Sequence, residues 1–168
     1  MKQILVRTER CLGCKSCELT CSTKHSRSKN LYGAVLQGEK PVRRVTVETN
    51  GAKTLNLPIQ CRQCQDPRCV SACMTGAMQL DQETNLVVNK EEKCVGCWMC
   101  VMVCPYGAIT PDEKGKTAVK CDQCLAEGHD PACVQACPTK AIQFVEITDF
   151  DKLTHKAFLT RFTSGEEA

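Results

Sequence analysis

The sequence has little with which to build an ordinary hydrophobic core. It contains four Phe, two Tyr and one Trp among 168 residues. Its hydrophobic fraction is 42%, but that figure counts 16 cysteines, and without them roughly a third of the chain is apolar. A chain of this size with so few large apolar side chains needs another source of cohesion, such as bound inorganic groups.

Long apolar segments are also missing. The N-terminal stretch MKQILVRTER has only Ile4, Leu5 and Val6 as an apolar run, which is too short for the core of a secretory signal peptide. No segment approaches the roughly 18 apolar residues that a membrane-spanning helix requires. We therefore expect a cytoplasmic protein without direct membrane insertion, and a reducing cytosol argues against pairing the cysteines as disulfides.

Motifs for the common kinds of catalysis are absent from the sequence. There is no GxGxxG dinucleotide-binding sequence, no Walker phosphate-binding loop and no recognisable nucleophile with its base. The formal net charge is +3, but the interleaved basic and aromatic residues of nucleic-acid-binding surfaces are lacking. We expect no catalytic residues and no nucleic-acid partner.

Cysteine is what the sequence has in excess, and every cysteine belongs to one of four groups of four. The first and third groups share the spacing C-x2-C-x2-C-x3-C, whereas the second and fourth have wider gaps between their second and third cysteines. The groups are Cys11, Cys14, Cys17 and Cys21; Cys61, Cys64, Cys69 and Cys73; Cys94, Cys97, Cys100 and Cys104; and Cys121, Cys124, Cys133 and Cys137.

The four groups form an internal repeat. The sequence ERCLGC at 9–14 recurs as EKCVGC at 92–97, and DPRCVSACMTGA at 66–77 recurs as DPACVQACPTKA at 130–141. Groups one and three are therefore alike, as are groups two and four. The chain reads as two tandem copies of a unit with two cysteine groups, the first copy carrying an insertion over about 22–60.

The spacing of the cysteines predicts iron–sulfur clusters. Structural zinc sites usually use two pairs of ligands separated by a longer loop, whereas three thiols within seven residues wrap around one cubic cluster. In the bacterial C-x2-C-x2-C-x3-C-P run, the fourth cysteine ligates the other cluster of a pair. Sixteen cysteines thus predict four 4Fe–4S clusters with all sixteen thiolates bound to iron, and zinc is the alternative.

Two consequences follow from this prediction. Four oxidised clusters at about −2 each would change the formal charge from +3 to about −5, so the excess Lys and Arg would partly neutralise the clusters. We also expect a short helix to begin at each fourth cysteine and to lead the chain away from the cluster.

Short strands and turns are predicted between the groups. Strands are expected at 2–8 and 141–147, and hairpins at 77–89 and 108–120. Within the insertion, a hairpin is expected around Asn50–Gly51, while 24–40 is polar and predicted to be a loop. A helix over 149–162 would carry an apolar stripe that either packs on its own domain or docks a partner. The stripe comprises Phe150, Leu153, Ala157, Phe158 and Phe162.

The order and spacing of the groups resemble those of the four-cluster iron–sulfur subunits of redox complexes. CRQCQDPRCVSACMTGA and CVGCWMCVMVCPYGAI are similar to the middle motifs of that family, which includes the electron-transfer subunits of dimethyl sulfoxide reductase and formate dehydrogenase. The chain also resembles short soluble members, such as the electron-transfer partner of carbon monoxide dehydrogenase or the small subunit of tungsten aldehyde oxidoreductase. The resemblance implies an α+β fold of two pseudo-symmetric bacterial-type ferredoxin modules, with short hairpins, short helices and a core built around clusters.

The resemblance also implies a division of the chain. Groups one and four would form an outer ferredoxin module from 1–21 plus 105–147, and groups two and three an inner module at 61–104. Residues 22–60 would be an insertion with a β-hairpin, and 148–168 a C-terminal helix and mobile tail.

A particular sharing of ligands follows from the family topology, and a sequential pairing of groups one with two and three with four is the alternative. On the family pattern, each cluster takes three cysteines from one group and the last cysteine of its partner group. The implied sets are Cys11, Cys14, Cys17 and Cys137 (cluster A); Cys121, Cys124, Cys133 and Cys21 (cluster B); Cys61, Cys64, Cys69 and Cys104 (cluster C); and Cys94, Cys97, Cys100 and Cys73 (cluster D).

A cluster with four thiolate ligands has no open iron for a substrate and can only exchange electrons. The resemblance implies a non-catalytic subunit that relays single electrons in an anaerobic oxidoreductase. The partners would be a large, metal-containing catalytic subunit (carbon monoxide dehydrogenase, or a tungsten or molybdenum aldehyde or formate oxidoreductase) and an acceptor such as ferredoxin, an NAD-reducing flavoprotein or a hydrogenase. A freely diffusing polyferredoxin, an iron–sulfur enzyme with one labile iron and a zinc-ribbon interaction module are the alternatives.

Metal analysis tests the central prediction. We expect about sixteen irons per chain after anaerobic purification, because four clusters of four irons would use every thiol. The sample should also show the visible thiolate-to-iron absorption bands. Markedly fewer irons, or a colourless protein containing zinc, would contradict the prediction.

Overall fold

The computed structural model describes residues 2–52 and 54–164. The expected mobile tail therefore lies outside the described residues from position 165 onward. The side chains of Leu153, Ala157 and Phe162, three members of the expected apolar stripe, also lie outside what the structure describes.

Four small antiparallel sheets of two strands each make up the β-structure of the described residues. All three predicted hairpins are present, and each is closed by a short turn between neighbouring strands. The fourth sheet pairs the first and the last strand of the described residues, with Val6 opposite Ile142, a pairing that the sequence did not predict. The sheets pair β1 (Lys2–Val6) with β8 (Ile142–Glu146), β2 (Val45–Thr49) with β3 (Asn56–Gln60), β4 (Met78–Leu80) with β5 (Val87–Asn89), and β6 (Ile109–Pro111) with β7 (Ala118–Lys120).

Short helices carry the cysteine groups, but they do not begin where we expected. The third cysteine of every group is the second residue of a helix, and the fourth lies inside that helix or just beyond its end, so the expected start at the fourth cysteine is wrong. The start is set by the preceding residue, which is a proline or a residue in the left-handed conformation. These helices are α1 (Ser16–Lys24), α3 (Arg68–Ser71), α4 (Met99–Val103) and α5 (Ala132–Gln135).

The insertion contains more helix than its polar sequence indicated. Helix α1 continues to Lys24, and a further helix, α2 (Leu31–Leu36), lies in the segment predicted to be a loop. Asn30 caps α2, because its side-chain oxygen accepts a hydrogen bond from the backbone N–H of Tyr32 at 2.8 Å. The prediction of a loop over 24–40 is therefore wrong for this part of the chain.

Cysteine side chains form part of both hydrophobic clusters of the core. In one cluster, Ile4, Val45, Val47 and Ile142 pack with cysteines of groups one and four. In the other, Met78, Ile109 and Ala118 pack with Cys100, and cysteines of groups two and three surround them. Short strands, short helices and a core built largely of thiols confirm the expected α+β fold.

The C-terminal helix α6 (Ile147–Ser164) confirms the predicted helix and extends it slightly at both ends. Of the expected stripe, Phe150 is half-buried and Phe158 is 63% exposed, so Phe158 contributes little to the core. Among the described helices, none combines the length and the apolar character needed to cross a membrane.

An ion pair attaches the insertion to the fourth cysteine group. Arg44 Nη1 lies 2.6 Å from Asp122 Oδ2, and the two side chains are only 19% and 22% exposed. Burial alone would raise the pKa of Asp122, but the Arg44 guanidinium outweighs this effect and holds that pKa below its usual range. The neighbouring Arg43 pairs with Glu18 at 3.2 Å and is 48% exposed.

Replacing Arg44 with Met should destabilise the protein more than the same change at Arg43. Removing one partner of a buried ion pair costs roughly 3–5 kcal/mol, and we expect the lower end because Arg44 and Asp122 are not fully enclosed. R43M should cost about 1 kcal/mol, because Arg43 is half-exposed and Glu18, although only 13% exposed, keeps the hydrogen bond that it accepts from the Val47 N–H. Anaerobic denaturant unfolding followed by circular dichroism measures both variants, and equal losses would contradict this ranking.

Candidate metal centres

All sixteen cysteines lie within the described residues, and none of them is paired in a disulfide. Their exposure is unequal. Cys14 and Cys97, which occupy equivalent positions in groups one and three, are exposed. The buried thiols include Cys21, Cys121, Cys124 and Cys133.

The loops that present the first thiols of groups one and three are tightly folded. Gly13 and Gly96 both have a φ of +68°, and a Cβ atom at either position would lie 2.7 Å from Asn56 Oδ1 or from the Lys116 carbonyl oxygen. Lys15 and Trp98, two residues further on, are also left-handed. Left-handed residues in such loops favour concave arrays of backbone N–H groups that bind anions, including iron–sulfur clusters.

Three pockets are each lined by four thiols that come from two different groups. The pocket of group one has an empty volume of about 290 Å³, counting its open mouth, and the other two have about 900 and 340 Å³. The thiols of the three pockets are Cys11, Cys14, Cys17 and Cys137; Cys61, Cys64, Cys69 and Cys104; and Cys73, Cys94, Cys97 and Cys100.

The remaining four thiols also lie near one another, in the interior. Burial raises the pKa of Cys21 to about 11, and the nearby Cys124 thiol adds to the rise. Burial likewise raises the pKa of Cys121 to about 12, with a contribution from Cys21. The pKa of Cys133 is raised for the same reasons, with Cys121, Cys21 and Cys124 among its neighbours. These thiols therefore need bound cations before they can lose their protons near neutral pH.

Backbone N–H groups donate to cysteine sulfurs in both halves of the chain. The N–H of Met78 donates to Cys73 Sγ at 3.4 Å, and the N–H of Ala141 donates to Cys137 Sγ at 3.2 Å. Burial acts to raise the pKa of Cys73, but the Met78 bond and further hydrogen bonds lower it overall. Hydrogen bonds to sulfur stabilise thiolate and are one means by which proteins tune cluster potentials.

The thiols fit clusters better than single ions. Within residues 2–52 and 54–164, no three His, Cys, Asp or Glu side chains converge as ligands around one metal ion. A zinc ion would require sulfurs about 2.3 Å from a common centre. In three of the sets, three thiols of one group meet one thiol of another group, which is how paired 4Fe–4S clusters share their ligands, so the donor set and its spacing fit 4Fe–4S clusters.

Consecutive sets of thiols lie close enough to interact electrostatically. Burial is the main cause of the raised pKa values of Cys133, Cys121 and Cys100. In each case a thiol of a different set adds to the rise. The cross-set neighbours are Cys17 for Cys133, Cys61 for Cys121 and Cys69 for Cys100. The four sets therefore form a spatial row. Its order is the set containing Cys14, the set containing Cys121, the set containing Cys61 and the set containing Cys97.

Three polar residues beside these sets were missed from the sequence. Gln63, Lys120 and Gln123 are buried, with 4%, 4% and 1% of their surfaces exposed. Gln63 and Gln123 occupy matching positions in CRQC and CDQC, so the repeat contained a signal for them. No local pattern marked Lys120, which follows two apolar residues at the end of a strand.

Comparison with known proteins agrees with this chemistry. The family model described as "4Fe-4S dicluster domain" matches residues 52–147. An "Iron-sulfur protein" of Rhodospirillum rubrum is 40% identical over 161 residues, covering 86% of this chain and 82% of that protein. The B subunit of the anaerobic dimethyl sulfoxide reductase of Escherichia coli (strain K12) is 36% identical over 162 residues, covering 88% of this chain and 74% of its own length.

A solved structure shares the fold at low sequence identity. One polypeptide of the active site complex BamBC of benzoyl coenzyme A reductase, in complex with benzoyl-CoA, aligns with a TM-score of 0.50 and 19% identity. The alignment covers 96% of this chain and 91% of that polypeptide. The family match over more than half of the sequence and the extensive identity to iron–sulfur proteins show that this protein belongs to the 4Fe-4S dicluster domain family and carries multiple 4Fe–4S clusters.

Proposed function

We propose that this protein is a non-catalytic electron-transfer subunit that relays single electrons through a row of four 4Fe–4S clusters. The observation that carries the proposal is the arrangement of all sixteen thiols in four neighbouring sets of four. When bound with four thiolates, each cluster exchanges one electron at a time and offers no open iron to a substrate. Kinship with the B subunit of an anaerobic dimethyl sulfoxide reductase supports this role.

We assign the ligands in the crossed pattern rather than the sequential one. Cys137 of group four lines the pocket of group one, and Cys104 of group three lines the pocket of group two. Cys73 of group two lines the pocket of group three, and Cys21 of group one lies beside Cys124 of group four. Sequential pairing would instead require Cys73 beside group one and Cys137 beside group three. On this assignment, groups one and four form one ferredoxin module and groups two and three form the other.

The two ends of the row are where electrons would enter and leave. Cys14 belongs to the first set and Cys97 to the last, and both are exposed, whereas the set containing Cys121 is enclosed by protein. Each exposed thiol has an exposed apolar neighbour, Leu12 at 70% and Val95 at 68%. Such side chains give a docking protein apolar contact close to the cluster, which shortens the distance between donor and acceptor.

We propose a different partner for each end of the row. One would be a large, metal-containing catalytic subunit, either carbon monoxide dehydrogenase or a tungsten or molybdenum aldehyde or formate oxidoreductase. The other would be ferredoxin, an NAD-reducing flavoprotein or a hydrogenase, and the complex would work anaerobically in the cytoplasm. The support is the similarity of the cysteine motifs to electron-transfer subunits of such complexes.

Serine variants of single ligands test the assignment. If Cys14 and Cys137 ligate one cluster, C14S and C137S should alter the same component of the electron paramagnetic resonance spectrum of the reduced protein. C97S and C73S should alter a second component in common. Sequential pairing makes the opposite prediction, since C137S would then resemble C97S.

A matched control for these variants is Met74→Ser, next to Cys73. Met74 is 83% exposed, so its replacement should leave all spectral components unchanged. If M74S alters the spectrum as strongly as C73S, the effect of the serine variants does not report ligation.

Purification under anaerobic conditions tests the role as a subunit. We expect the native protein to elute with a stoichiometric, metal-containing large subunit. L12K and V95K should both retain full iron. Each should slow electron transfer to only one of the two partners, by roughly tenfold if about 1.4 kcal/mol of docking free energy is lost. A stable monomer whose transfer rates are insensitive to both changes would favour a diffusing polyferredoxin.

A further inference from the structure

A buried lysine lies between two of the thiol sets. Lys120 ends strand β7 and is 4% exposed. Its Nζ donates hydrogen bonds to the carbonyl oxygens of Val87 and Cys121, the latter at 2.9 Å. Among the described residues, its hydrogen-bond partners are these neutral carbonyl groups, although burying an ammonium ion is costly unless negative charge compensates it.

Gln63 completes a closed network around this lysine. Its Nε2 donates to the same Cys121 carbonyl at 3.0 Å, and its Oε1 accepts from the Val87 N–H at 2.8 Å. Gln63 belongs to group two and Cys121 to group four, so the network joins the two halves of the cysteine framework. We name Lys120, Gln63, Val87 and Cys121 the junction bridge.

The negative charge that compensates Lys120 comes from the thiol sets on either side. Val87, whose carbonyl oxygen accepts a hydrogen bond from Lys120, lines the pocket of the Cys61 set together with Cys64 and Cys69. Across the junction, Cys121 lies near Cys61, so the two sets approach each other at the lysine. Four thiolates around an iron cluster leave a net negative charge of about −2 when oxidised, and reduction adds one more.

We propose that Lys120 is a shared counter-ion of the two central clusters and raises the reduction potentials of both. The proposal rests on the proposed function, because it assumes clusters at the Cys61 set and the Cys121 set. A fixed buried cation stabilises the more negative, reduced form of each neighbouring cluster. Gln63 acts as a positioning residue that holds the carbonyl groups to which the lysine bonds.

Of the two central clusters, the one at the Cys121 set needs such a charge more. The set of Cys121 is buried, and a buried cluster gains little stabilisation from water when it accepts an electron. Without compensation, its potential would fall below those of the exposed ends and would hinder transfer through the middle of the row. Lys120 raises the reduction potential of this cluster without being a ligand of its iron.

Redox titration of Lys120→Met tests the proposal. Iron content is measured first, and reduction potentials are then determined by anaerobic titration followed by electron paramagnetic resonance. We expect two of the four potentials to fall, with at least a tenfold loss in the reduction equilibrium constant, which is about 59 mV for a one-electron couple. When C64S is added to K120M, the shifted spectral component that disappears belongs to the cluster of the Cys61 set.

Three further variants separate charge from structure. Lys114→Met removes the same charge from an exposed turn residue. It should leave the reduction potentials unchanged, because exposed charges are screened by salt. Gln63→Leu breaks the bridge without changing charge and should shift the potentials less than K120M. Lys120→Gln can still donate to a carbonyl but should lower the potentials as K120M does, and it replaces K120M if that variant loses iron.

The outcomes distinguish this inference from the proposed function. A wild-type protein that lacks four clusters overturns the function, whatever Lys120 does. Full iron content with unmoved potentials in K120M or K120Q overturns the inference alone. Equal shifts in K114M, or a shift in Q63L as large as in K120M, would show that the charge of Lys120 is not the cause. Loss of iron in both K120M and K120Q would assign Lys120 a role in cluster assembly instead and would also overturn the inference.

Discussion

Ligation of iron by thiolate is the interaction on which the whole structure depends. The sheets have only two strands each, and the strands are three to five residues long. Isolated hairpins of this kind are at best marginally stable in water. Cysteines occupy the core positions that large apolar side chains fill in other proteins, with Cys17, Cys21, Cys121 and Cys133 in one cluster of buried residues. Cofactor binding and folding are therefore one process in this protein.

Several local features that are unfavourable by themselves are compensated when the clusters form part of the interior. Buried thiols with raised pKa values, the enclosed ammonium of Lys120 and left-handed Lys15 and Trp98 would each destabilise an ordinary core. Metal ions convert the thiols to thiolates, whose charge compensates the cation, and left-handed loop residues shape the cradle. In the proposed ligation, the four thiolates that hold each cluster also leave no iron open to a substrate, so the fold and the proposed electron-transfer role have one cause.

The internal repeat gives the molecule two comparable ends. Cys14 and Cys97 are equivalent in the two copies, and both are exposed, as are their neighbours Leu12 and Val95. In the proposed crossed arrangement, the equivalent sets lie at opposite ends of the row and the other two lie between them, the Cys121 set being fully buried. Duplication of a unit with two cysteine groups thus produces a row with two exposed ends, which suits a protein that connects two redox partners.

The sequence alone determined the cofactor type and the three hairpins, because both depend on local features. Ligand spacing within each group selects a cluster over a zinc ion, and the turns at Asn50–Gly51 and Gly115 come from neighbouring residues. Only the tertiary structure decided that β1 pairs with β8 and that Gln63 reaches Cys121. These contacts join residues more than fifty positions apart, so no local pattern encodes them. Each helix that carries a cysteine group begins one residue before the third cysteine. In groups one and three the residue before the helix, Lys15 or Trp98, is left-handed, and the tertiary structure decided these two starts because neither side chain favours that conformation locally.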